Sequence, residues 1–159
     1  MGDIEIKPIS QKNYHELSVM VGELLKEIMD TIDEKAFNYD KDETEARAKE
    51  LLKQEKYWVF IAEKKESASI VGFVSLYESY ALYSEGAYGT IPELYVRPTW
   101  RSQSIGRGLL EQAREFATIK GWRRLEVTTP PLPQFEKTLS FYQANGFETS
   151  GGKKLKINI

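Results

Sequence analysis

A chain of 159 residues with 41% hydrophobic residues and a net charge of −2 is long enough to bury a sizeable core within one domain, and its charge balance points away from nucleic acid. The absence of cysteine excludes disulfides and a cysteine nucleophile, and the single histidine, His15, excludes any usual zinc site, so no metal is expected. No apolar run approaches the ~20 residues of a membrane span, and the N-terminus lacks the apolar segment of a signal peptide. A cytoplasmic protein without a membrane partner is the expectation.

Ile4 and Ile6 alternate with polar residues and predict a first strand. Leu17, Met20, Val21, Leu24, Leu25, Ile28 and Ile32 then recur at helical spacing, with Ser10 as a candidate cap. The stripe is broad enough to face a core. His15 lies in this helix, far in sequence from every other candidate, and reads as a helix residue. The charged stretch 33–56 holds a second helix starting near Asp42 or Thr44, with Ala46, Ala48, Leu51 and Leu52 as its apolar face. Tyr57–Glu63 and Ile70–Tyr77 predict a hairpin across the turn at 64–68. Residues 79–90 show no clear period, and a fourth strand runs from Ile91 to Val96 until Arg97-Pro98 ends it.

A loop of small and cationic residues follows, Arg101-Ser102-Gln103-Ser104-Ile105-Gly106-Arg107-Gly108. Then Leu109, Leu110, Ala113, Phe116 and Ala117 mark a helix that Gly121 closes. Strand, loop and helix in that order place the loop where a helix N-terminus leaves N–H groups without intrahelical partners. With Arg101 and Arg107 nearby, this is a site for an anion, most simply a phosphate. The P-loop pattern is absent. So is the dinucleotide fingerprint, because Glu111 stands where its third glycine belongs. Residues 124–129 predict a further strand. Phe135, Leu139 and Tyr142 share one face of a last helix ended by Asn145-Gly146, and 147–150 with 154–159 read as a closing hairpin across Gly151-Gly152. The order βααβββαβαββ is α/β, with no repeats or linkers.

Arg101 to Gly106, followed by Arg107-Gly108, resembles motif A of the GNAT family of N-acetyltransferases, R/Q-x-x-G-x-G/A, with Ser104 in place of the family's first glycine. Phe141-Tyr142-Gln143-Ala144-Asn145-Gly146-Phe147 resembles the family's motif B, F-Y-x-x-x-G-F. The resemblance spans Val59 to the C-terminus. It implies a GNAT-like acetyl-CoA-binding fold, a mixed central sheet flanked by helices, as one domain over 1–159. It implies acetyl-CoA as co-substrate, with the pyrophosphate on the amides of Arg101, Ser102, Gln103, Ser104, Ile105, Gly106, Arg107 and Gly108. The pantetheine arm is expected on the backbone of Leu94, Tyr95 and Val96. The resemblance also gives Tyr142 the role of acid to the departing thiolate and has the first two helices wall the acceptor site.

An acid just before L-Y-V, here Glu93, resembles the acceptor-facing acid of diamine- and aminoglycoside-type members, and is the candidate to bind the amine or take its proton. By strand alternation Glu93 and Tyr95 point to one side. The stretch 77–96 carries Glu78, Glu85 and Glu93 among five tyrosines, with no lysine or arginine. Carboxylates among aromatic faces suit an ammonium group, which makes Tyr80, Tyr83, Glu85 and Tyr88 candidates for acceptor binding. With no cysteine to carry an acetyl group, direct attack by the amine in a ternary complex is expected. The expected partner is a small-molecule amine; a homodimer is left open. Two alternatives stand beside this reading: a protein lysine or N-terminal acetyltransferase, and a non-catalytic acyl-CoA-binding protein, which the serine at 104 motivates.

Overall fold

The structure is a computed structural model that describes residues 2–159. The chain divides into one unit ending at Thr128 and another from Thr129 to Ile159. In the first, the elements run β1 (Ile4–Pro8), α1 (Tyr14–Ile32), α2 (Lys41–Lys53), β2 (Trp58–Lys64), β3 (Ile70–Ser79), β4 (Tyr88–Ile91), β5 (Leu94–Val96), α3 (Ile105–Lys120) and β6 (Leu125–Val127). The second holds α4 (Glu136–Ala144). The sheet order is β1-β2-β3-β4-β6, with β5 also pairing β3. Every pairing is antiparallel except β4 with β6. This is the mixed sheet flanked by helices that the sequence predicts.

Alternation along β2 sorts its side chains between two cores. Val59 and Ile61 join Leu17 and Met20 of α1 with Ile70, Phe73 and Tyr95 in one buried cluster. Trp58 and Phe60 point the other way and meet Phe116 of α3 at ring-centroid distances of 5.3 and 5.4 Å. Helices therefore cover both faces, and the first seven residues of β3 are all buried. A strand buried on both faces reads as an unbroken apolar run, which is why Ile70–Leu76 was legible without alternation. Full burial of each large side chain here, such as Phe73 or Ile61, contributes about 1.5–3 kcal/mol.

Helix starts differ slightly from the predicted ones. Ser10 heads a short 3₁₀ turn, its hydroxyl bonding Asn13 Oδ1 at 3.0 Å, and α1 begins only at Tyr14. Asp40, not Asp42 or Thr44, caps α2 by accepting the Glu43 N–H at 2.9 Å. Gly121 takes the left-handed conformation expected after α3, with φ 75°.

Two strand predictions need correction. The strand expected from Ile91 to Val96 is two strands, β4 and β5. Tyr77 pairs with Thr90 and Val74 with Leu94, so three steps along β3 match four along its neighbour. That is a bulge of one extra residue, placed at Pro92, which has no N–H to give to a ladder. The closing hairpin is absent: residues 147–150 and 154–159 form no strand. Leu155, Ile157 and Ile159 alternate as a strand would, yet they are 90, 83 and 115% exposed. Alternation suits a half-buried strand but supplies no partner for it.

Candidate functional site

The loop before α3 is built as the sequence suggests. The first helical bond runs from Gly108 N–H to the Ser104 carbonyl at 3.0 Å, so the N–H groups of Ile105, Gly106 and Arg107 precede the ladder. Ser102 and Ser104 both adopt positive φ, 64° and 66°. This explains why the motif wants glycine at 104: a side chain in that conformation costs about 1–2 kcal/mol. Ser104→Gly relieves the strain, against about 0.4–1 kcal/mol of added freedom in the unfolded chain. The expected result is a melting temperature raised by about 2 °C with coenzyme affinity changed no more than severalfold. A melting temperature lowered in this variant would mean that the serine side chain has a compensating partner.

Two basic residues of this region, Arg97 and Arg101, are engaged by α1. Arg101 forms a two-point ion pair with Glu27, at 3.0 and 2.6 Å, and its Nε donates to the Val96 carbonyl at 2.7 Å. Arg97 bonds Glu16, both oxygens of Glu23 (3.1 and 3.2 Å) and the Ile70 carbonyl (2.8 Å). Tyr95 donates to the same Glu23 at 3.2 Å, and burial, with Glu23 beside it, pushes its phenol pKa up to about 12. Sequence reading missed Arg97 and the three acids. The signal was there, since glutamates at 16, 23 and 27 fall on one helical face. Arg107 is exposed and makes no ion pair among the described residues.

The bulge shapes the strand edge next to this loop. Arg97 N–H reaches the Val71 carbonyl (2.8 Å) and Ser75 N–H reaches the Glu93 carbonyl (2.9 Å). Residues 93, 95 and 97 thus bond inward to β3, and alternation turns the N–H and C=O groups of Leu94 and Val96 outward. β6 pairs only with β4, ending at Ile91↔Val127, so it does not cover that edge. The backbone of Tyr95 is turned into the sheet, which leaves Leu94 and Val96 as the outward-facing pair of the three predicted residues.

Glu93 sits at the bulge itself. Its Oε1 accepts hydrogen bonds from the hydroxyls of Tyr57 and Ser75, and its N–H donates to Ser75 Oγ at 3.1 Å. Tyr57 in turn stacks on Tyr77, ring centroids 6.3 Å apart. Glu93 therefore lies on the α1 face of the sheet beside two tyrosines, one of which, Tyr57, lay outside the stretch the sequence singled out.

The other acceptor candidates are placed differently. Glu78 is on the opposite face, taking the indole N–H of Trp122 at 2.6 Å and the hydroxyl of Tyr80. Tyr80 and Tyr83 are exposed, and Glu85 lies on the same exposed loop. Tyr88 pairs with Ser79, four residues beyond Ser75 on β3, about 13 Å along the strand. Its ring face is taken by Arg124, whose guanidinium carbon lies 4.1 Å from the centroid and 5.8 Å from that of Tyr83. The stretch lacks basic residues in sequence, but the fold brings one to it from the residue just before β6.

In the second unit, Tyr142 is buried on α4, with the rings of Phe141 and Phe147 each 5.4 Å from its own. Burial raises its pKa, which holds the phenol protonated. Its hydroxyl makes no hydrogen bond with the described residues and is free to donate. His15 pairs with Glu45 at 3.1 Å across the exposed faces of α1 and α2, consistent with a helix residue.

Comparison with known proteins adds independent support. A family model described as an acetyltransferase (GNAT) domain matches residues 53–149. The uncharacterised N-acetyltransferase YhfO of Bacillus subtilis is 30% identical over 108 residues, 68% of this chain and 70% of that protein. The IAA acetyltransferase of Azospirillum brasilense is 30% identical over 87 residues, 55% of this chain and 53% of that protein. Among solved structures, the aminoglycoside N-acetyltransferase AAC(6')-Iy in complex with CoA superposes with a TM-score of 0.80 at 17% identity, covering 98% of this chain and 94% of that one. What the loop and the two motifs imply, the family match states directly: the chain belongs to the GNAT family of acetyltransferases and is an acetyl-CoA-dependent N-acetyltransferase.

Proposed function

We propose that this enzyme acetylates the primary amine of a small cationic molecule by direct attack on acetyl-CoA. The observation that carries the reading is the carboxylate of Glu93, fixed at the bulge next to the outward-facing edge of β5. The groups present fit the coenzyme. The N–H groups of Ile105, Gly106 and Arg107 suit its pyrophosphate, and the outward groups of Leu94 with the Val96 N–H suit its pantetheine amides, the Val96 carbonyl being taken by Arg101. Arg101, already paired with Glu27, contributes less than its position in the motif suggests.

The chemistry assigns each group a task. The amine arrives as an ammonium ion drawn to Glu93 and loses a proton toward that carboxylate, directly or through water. Its nitrogen bonds to the thioester carbon, the C–S bond then breaks with the electron pair going to sulfur, and the nitrogen's second proton passes to solvent, which leaves a neutral amide. An outward N–H on β5 stabilises the oxyanion formed between these steps. Tyr142 shares its proton with the departing thiolate. An aminoglycoside is a polycationic amine, so the structural likeness to an enzyme of that kind supports an acceptor of the same charge.

A thiol-release assay with acetyl-CoA against cationic amines, neutral and anionic acceptors, and lysine peptides tests the proposal. Small cationic amines should turn over fastest, and Glu93→Gln should raise the amine KM about tenfold or more, lowering kcat as well if the carboxylate takes the proton. A panel led by neutral or anionic acceptors, with Glu93→Gln kinetically unchanged, would overturn the acceptor assignment.

A further inference from the structure

We propose that Tyr57 and Ser75 are positioning residues for the acetyl transfer: their hydroxyls clamp one oxygen of Glu93 so that the other faces the incoming ammonium group. The inference rests on the role given to Glu93 under the proposed function.

Three segments far apart in sequence meet here. Tyr57 lies just before β2, Ser75 in the middle of β3, and Glu93 in the bulge between β4 and β5. Ser75 is 1% exposed. A carboxylate oxygen only accepts, which settles the direction of each bond, and the other acceptors within reach, Ser75 Oγ for Tyr57 and the Glu93 carbonyl for Ser75, are both farther at 3.3 Å. Ser75 Oγ receives the Glu93 N–H at 3.1 Å, so its own hydrogen goes to the Glu93 carboxylate. The Ser75 N–H meanwhile holds the Glu93 carbonyl at 2.9 Å. One serine thus fixes both the backbone and the side chain of Glu93. Tyr57 gives its single hydrogen to the same oxygen, Oε1.

Oε2 carries neither of these bonds. A glutamate has three rotatable side-chain bonds, and holding one oxygen from two directions removes most of that freedom before substrate arrives. Pre-set geometry of this kind is what an amine needs beside a thioester, where small displacements cost rate. Tyr57 is suited to be a permanent donor. Burial first, and then the charge of Glu93, push its pKa well above the ordinary phenol range, so it keeps its proton throughout the working pH range. The stacked ring of Tyr77, 37% exposed, offers a face against which an alkylammonium group can rest.

The competing account is a polar cluster that only seals the bulge. Tyr57→Phe separates the two, because it keeps the ring and its stack on Tyr77 and deletes only the donor. The expected result is a drop of about tenfold or more in kcat/KM for the amine, with the KM for acetyl-CoA unchanged. In a Glu93→Gln background the same change should have little further effect, since the group it positions is gone. Ser75→Ala removes the second donor and should show the same pattern, which covers the case of a poorly folding Tyr57 variant. If Glu93→Gln is impaired while Tyr57→Phe and Ser75→Ala both keep wild-type amine kinetics, the clamp is wrong and the role of Glu93 stands. Losses of equal size with and without Glu93 would also overturn the clamp. A silent Glu93→Gln would remove the role of Glu93 itself.

Discussion

Tyr142→Phe should lower kcat about 10²–10⁴-fold while leaving acetyl-CoA binding nearly unchanged. The variant keeps the buried ring between Phe141 and Phe147 and loses a hydroxyl that makes no hydrogen bond with the described residues. Folding therefore has little to lose, and the whole effect should fall on the chemical step. A raised pKa makes full surrender of the proton harder. It suits a phenol that stabilises the departing sulfur by hydrogen bonding and completes the transfer as charge builds there. The sign for pH follows. A group whose pKa is raised above the ordinary phenol value of about 10 stays in its active, protonated form on the alkaline side. The rate should not fall through ionisation of Tyr142 below about pH 10. Single-turnover kinetics over pH 6–10 would check both points, and a fully active phenylalanine variant would hand the thiolate's proton to solvent.

Gly72→Ala should cost about 2–3 kcal/mol of stability, a fall of roughly 5–10 °C in melting temperature. Gly72 faces Val96 across β3 and β5. A Cβ there would stand 2.6 Å from the Tyr95 carbonyl oxygen and 3.3 Å from the Val96 Cα. Both are backbone atoms, so no side chain can swing away to relieve the contact, and β5 must move off β3. That motion shifts the outward groups of Leu94 and Val96, so acetyl-CoA affinity should fall about tenfold or more, near 1.4 kcal/mol. Thermal unfolding and calorimetry measure the two effects separately. Unchanged coenzyme binding in a destabilised variant would detach the β5 edge from the coenzyme site.

What could be read from the sequence was local. The periods of α1 and α3, the hairpin of β2 and β3, the glycine after α3 and the amides ahead of its hydrogen-bond ladder all depend on neighbours close in sequence. What could not be read depends on register. Glu78 and Glu93 look alike in sequence, yet strand parity and the extra residue near Pro92 put them on opposite faces. Tyr57 reaches Glu93, and Arg124 reaches Tyr88, only because separate strands align. The C-terminal residues show the limit most plainly: Leu155, Ile157 and Ile159 have a strand's pattern, and pairing needs a second strand that the pattern does not name. Ser104 fell between the two cases. Its departure from the motif was visible, but the left-handed backbone that gives the departure its cost was not.

The acids of α1 leave the N-terminal end of α3 close to electroneutral. Arg97 and Arg101 are matched by Glu16, Glu23 and Glu27, and among the described residues of the loop Arg107 alone carries positive charge without an ion pair. A diphosphate seated there, as proposed, would be held by aimed N–H dipoles, which act within the first turn, more than by net cationic charge. Few counter-ions need be displaced when it binds, so ionic strength should matter little to the coenzyme. The amine is in the opposite position. On the proposed reading it approaches a carboxylate that is held by hydroxyls and keeps its charge, and that attraction is screened over about 8–10 Å in ordinary buffers. The two substrates of one enzyme would thus respond to the same salt in different measure, the anion nearly indifferent and the cation weakened.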